Sequence, residues 1–222
     1  MLAGAVLITA SSLAYFDVES FPAFVVEKLP VRFETLWLAS LRGHVASALL
    51  GFPLCIVLMT RTIQRRPAWH RWLGRVAGVV ILFVLVPAGI VLAFDAKGGT
   101  VVTAGFLLSA AIVAWFMVRG VAAARRRDLV AHRRAMRHVF AQLSVAVTSR
   151  ALLISFDALG LNPDVAYVVA LWGPVLASTA VAELVSYSSP VHLIARICRE
   201  ISPLALVVRV RSLAGPLVRL GR

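Results

Sequence analysis

Long apolar runs separated by blocks of arginine constrain this chain more than any other feature. Five runs reach the roughly 20 residues that a helix needs to cross a bilayer. They are Trp37–Thr60, Trp72–Phe94, Val101–Ala122, Ala135–Phe156 and Val165–Tyr187. A backbone in lipid must satisfy its own N–H and C=O groups, so each run predicts a helix. Met1–Phe16 is apolar but short. It reads as a tilted first span, with a cleaved leader as the rival. No Lys or Arg precedes its apolar stretch, which speaks against the leader. The predicted fold class is all-α, a polytopic transmembrane bundle of five to six spans.

Charge supplies the orientation. Arg61, Arg65, Arg66, Arg71 and Arg75 lie between the second and third spans, and Arg119, Arg125, Arg126, Arg127, Arg133, Arg134 and Arg137 between the fourth and fifth. The opposite side holds Asp17, Glu19, Glu27, Glu34, Asp95, Asp157 and Asp164 against Lys28, Arg32 and Lys97. By the positive-inside rule the arginine side faces the cytoplasm, which puts both termini inside and predicts a multi-pass protein of the bacterial inner membrane. The formal net charge of +13 therefore reads as topology and needs no nucleic acid. A composition that is 60% hydrophobic and only 15% charged excludes a disordered chain, and two cysteines exclude a disulfide scaffold.

Three regions follow. Residues 1–36 combine the short first span with an outer interfacial segment, and residues 37–188 form a five-helix core. Residues 189–222 form a basic amphipathic cytoplasmic tail, in which Arg196, Arg199, Arg209, Arg211, Arg219 and Arg222 are placed to meet anionic head groups or a partner.

Ionisable residues inside spans cost a few kcal/mol each and mark candidate sites. His44 and Arg150 each lie about 10 Å in from the outer face, with Asp95 and Asp157 as candidate counter-charges nearer the edge. At the inner face the third span opens with His70-Arg71-Trp72-Leu73-Gly74-Arg75, and the fifth with His132-Arg133-Arg134-Ala135-Met136-Arg137-His138. Glu183 lies at matching depth near the end of the last span. It predicts an Arg–Glu–Arg network with Arg75 and Arg137, or an Arg–Glu–His one, that pins three helices together.

Small residues form stripes. His44, Ser47, Ala48, Gly51 and Cys55 share one helical face, as do His70, Gly74 and Gly78. Such stripes admit another helix backbone, or leave room for a flat macrocycle beside a histidine.

Taken together, these residues resemble a family of bacterial predicted membrane proteins classed only as a domain of unknown function. The pattern runs from His44 through His-Arg-Trp-Leu-Gly-Arg at 70–75 and a turn with Ala93, Ala96, Gly98 and Gly99. It continues with Gly105-Phe106, Trp115, Asp128, His132-Arg133-Arg134-x-Met136-x-Arg137, Val147-Thr148-x-Arg150 and Glu183. The chain departs from it at Ala135, where a Trp is expected, at His138, where a small polar residue is expected, and in the tail after 190. The resemblance implies the spans and marks these residues; it implies no activity.

Three functions stay open. The leading one is a non-catalytic accessory or scaffold subunit, packed against other membrane-protein subunits and anionic lipid. The second is a b-type haem or quinone-linked electron-transfer protein. His70 and His132 are its candidate axial pair, with His138 as substitute for His132, and His44 either needs a non-histidine partner or serves a quinone site with Arg150. His44 lies about 24 Å from the inner histidines along the helix, too far to share their macrocycle. The third is a small transporter using Arg150, His44 and Glu183. No nucleotide-binding, zinc-protease or nucleophile-elbow motif is present, so the sequence leans away from an enzyme and marks no catalytic residue or bare-metal site.

Overall fold

The computed structural model describes residues 13–16 and 23–187. The expected first span lies almost wholly outside the described residues, apart from a 3-10 turn at Leu13–Phe16. The basic tail, with its six arginines, lies outside them entirely.

The described chain is helical, and five helices are long and apolar enough to cross a membrane. A short helix α1 (Ala23–Lys28) leads through a turn into α2 (Glu34–Met59). A single turn, α3 (Arg61–Gln64), connects it to α4 (Pro67–Phe94). Then come α5 (Gly99–Arg125), α6 (Leu129–Ala158) and α7 (Pro163–Tyr187). The chain is a membrane protein with several apolar helices, in the fold class its sequence predicts.

Every long helix begins before the apolar run that announced it, and at α4, α6 and α7 local start signals mark that end. Pro67 occupies the first turn of α4, where its missing N–H costs nothing. Asp128 caps α6, its side chain accepting from the Ala131 N–H at 2.9 Å, so the helix begins six residues before Ala135. Asn162 Oδ1 accepts from the N–H groups of Asp164 (3.0 Å) and Val165 (3.3 Å) and starts α7.

Within α4 the helix widens to a π turn over Ile81–Leu85, just before Pro87. A proline ring clashes with the carbonyl one turn earlier, and a widened turn relieves that clash.

Two compact units divide the chain, the first ending at Ala182 and the second starting at Glu183. The core of the first is apolar. Cys55, Ile81, Leu85, Val113, Met117 and Val139 join α2, α4, α5 and α6. Val102, Val145, Leu171 and Val175 join α5, α6 and α7. Val25 of α1 packs on Trp37 and Leu41 at the start of α2. The outward faces carry exposed Phe83, Trp115, Ile154 and Leu176, as helices bathed in lipid do.

Candidate cofactor site at the arginine-rich end

His70 sits in the first turn of α4 and His132 in the first turn of α6. Their rings come together, with centroids 6.4 Å apart and planes at 85°. His132 is anchored: its Nδ1 lies 2.9 Å from the Gly120 carbonyl. A carbonyl only accepts, so Nδ1 carries the hydrogen and Nε2 keeps its lone pair. Histidine ligands are commonly held this way, with the second nitrogen donating to a carbonyl or carboxylate. At Gly120 α5 lies close against α6; a Cβ there would run into Met136 and stand 3.2 Å from Ala135 Cβ. That approach brings the carbonyl within reach of the imidazole. His70 is not anchored. Its Nδ1 is buried and has no hydrogen-bond partner among the described residues.

Space adjoins the pair. Gly74 and Gly78 continue the His70 face of α4, and a Cβ on either would meet nothing within 4 Å. Gly74 is partly exposed, whereas Gly78 is buried with a few ångströms of slack around it. No group of three or more His, Cys, Asp or Glu among the described residues could hold a metal ion.

The third inner histidine is placed differently. His138 is 2% exposed and stacks on Phe116, with ring centroids 3.9 Å apart and planes at 5°. Arg75 is exposed on α4 and Arg137 is half-buried on α6, while Glu183 belongs to the second unit.

The chain belongs to the DUF2306 family of predicted membrane proteins. The family model matches residues 41–186, nearly all of the five-helix core. No curated protein and no solved structure matches the chain. In this DUF2306 protein the matched region contains His44, His70, His132 and His138, so every described histidine lies within it.

At the acidic end His44 projects from α2 onto α4, where its Nδ1 lies 3.2 Å from the Leu85 carbonyl at the end of the π turn. Gly89 makes the room: a Cβ there would stand 3.1 Å from His44 Cε1. Arg150 curls back to donate to the Ala146 carbonyl of its own helix at 3.2 Å. Asp95 ends α4, and Asp157 is exposed near the end of α6.

Sequence reasoning passed over one residue that organises the bundle. Gln142, 3% exposed in the middle of α6, has its amide nitrogen near the Val175 carbonyl (3.0 Å), Ser178 Oγ (3.0 Å) and Thr179 Oγ1 (2.7 Å). Its Oε1 accepts from Ser109 Oγ at 3.1 Å. One side chain thus ties α5, α6 and α7 together. A search restricted to ionisable residues misses it, but an amide alone in an apolar run was signal enough.

Proposed function

We propose that this DUF2306 protein is a membrane electron-transfer protein that holds a b-type haem between His70 and His132. The observation that carries the reading is the separation of the two rings. Imidazoles on opposite sides of one metal, with metal–nitrogen bonds of about 2.0–2.1 Å, have ring centres about 6.3–6.5 Å apart. The observed 6.4 Å matches that spacing. A macrocycle would supply the ligands that two histidines leave open. The partly exposed Gly74, one turn from His70, leaves space on the side a macrocycle would occupy. Arg71 and Arg133, each next in sequence to a ligand histidine, are suited to its propionates.

Haem held there supplies one-electron chemistry. His132, with Nδ1 held by the Gly120 carbonyl, and His70, whose Nδ1 has no hydrogen-bond partner among the described residues, would hold the group. A haem that only relays electrons works with partners, so this reading keeps the expectation of neighbouring subunits. We place the arginine-rich end, and with it the haem, on the cytoplasmic side of a bacterial inner membrane by the positive-inside rule.

The test is an absorption spectrum of detergent-purified protein from cells grown with added haem. A Soret band lost in both His70→Ala and His132→Ala is the expected result. A wild-type protein without the band, or variants that keep it unchanged, overturns the reading.

A further inference from the structure

The two halves of α4 are out of helical phase with each other. A π turn takes up one residue more than an α turn, so Ile81–Leu85 offsets the inner half, Pro67–Val80, from the outer half, Val86–Phe94, by one residue. One residue is about 100° of rotation and about 1.5 Å of rise. Each half meets a different neighbour. The outer half is keyed to α2: His44 Nδ1 lies 3.2 Å from the Leu85 carbonyl, and a Cβ on Gly89 would stand 3.1 Å from His44 Cε1. The inner half carries His70, whose ring centroid lies 6.4 Å from that of His132 on α6. An uninterrupted α-helix could not make both contacts. With its outer half held on His44, it would bring Arg71 to the place where His70 now stands.

Two residues favour the widened turn. Pro87 has no N–H to give the Phe83 carbonyl, which is the bond an α-helix would make across it. His44 donates to the Leu85 carbonyl at the outer edge, because a carbonyl only accepts. In lipid no water satisfies such groups, so a donor from the next helix bears directly on which backbone pairing is kept. Ile81 and Leu85 point into the core, whereas Phe83 is 73% exposed. The turn can therefore give up a residue on its outward side without opening the core.

We propose that the π turn, held by His44 and Pro87, is a register element that aims His70 at His132, and that His44 is a positioning residue for a pair near the other end of α4. The inference deepens the haem reading and takes from it the purpose of the pair, but the register itself does not require haem.

The experiment reads the register directly, in full-length protein in lipid nanodiscs with Cys55→Ala and Cys198→Ala removing the native thiols. His132→Cys is combined in turn with Trp69→Cys, His70→Cys or Arg71→Cys, and a short bis-methanethiosulfonate is added. Cross-linking is expected at position 70 in the otherwise unchanged chain. In His44→Leu with Pro87→Ala it is expected to pass to position 71, and further deletion of Phe83 returns it to 70. Pro87→Ala with His44→Asn, whose amide can still donate to Leu85, keeps it at 70. Deleting Phe83 alone also leaves it at 70, because the turn surrenders its extra residue. A cross-link that stays at 70 in the Leu/Ala variant, that is lost there and not restored by the deletion, that passes to 71 with Asn as readily as with Leu, or that moves to 69 or vanishes when Phe83 alone is deleted overturns the proposal. With His70 and His132 intact, the Soret band is expected to be lost and restored in step. No band in any sample, with the cross-links as expected, sinks the haem reading and leaves the register standing.

Discussion

Two stripes of small residues, alike on paper, are used in opposite ways. On α2, Ser47, Gly51 and Cys55 are buried against neighbouring helices, and a Cβ on Gly51 would stand 3.2 Å from Ile81 Cγ1. That stripe is filled. On α4, a Cβ on Gly74 or Gly78 of the second stripe would meet nothing within 4 Å; Gly74 is partly exposed beside His70, while Gly78 is buried. Small residues in a membrane helix usually buy close packing. Here only one stripe is spent that way, and the other leaves a vacancy next to an unanchored imidazole.

The sharpest way to break this contrast is to fill both stripes. Gly74→Leu occupies the space beside His70; it is expected to abolish the Soret band while the thermal midpoint stays close to wild type. Gly51→Val pushes on Ile81 in a closed core and is expected to destabilise by about 1–3 kcal/mol, visible as a lowered Tm and a broadened elution peak. If the two variants behave alike, the stripes are not different in kind.

Gln142 sharpens the comparison from the side of the polar groups. Its hydrogen-bonding atoms are satisfied within the bundle, whereas His70 Nδ1 is not. Gln142→Leu is expected to cost about 1–2 kcal/mol, since interhelical hydrogen bonds average about 0.6 kcal/mol each. Thermal unfolding in detergent would show the loss, and the spectrum should not move. His138→Ala, which removes a ring stacked on Phe116, is likewise expected to leave the spectrum in place; a lost Soret band would make His138 a ligand after all. The smallest effect belongs to Trp172→Phe. It deletes one hydrogen bond to the Val101 carbonyl, and a shift of Tm near the limit of measurement is expected.

These contrasts also mark what the sequence could reveal. Apolar length and arginine blocks announced each of the five described spans, because lipid admits few alternatives to a helix. The helix ends were less legible, since Asp128, Asn162 and Pro67 act through local hydrogen bonds and ring geometry that hydropathy does not register. Helical spacing brought His70, Gly74 and Gly78 to one face. It could not say whether another helix fills that face, because a filled stripe and an open one are written with the same residues. The pairing of His70 with His132 was inferable from both helices starting at one membrane face. The Gly120 carbonyl that fixes His132 depends on how closely α5 and α6 approach, and only packing decides that.

The most direct measurement is a titration of haemin into haem-free protein in nanodiscs, followed by absorption. The account predicts saturation at one haem per chain with the spectrum of bis-imidazole ligation, and no saturable uptake when His70 and His132 are both alanine. Uptake that never saturates, or that is the same in the double variant, would contradict it.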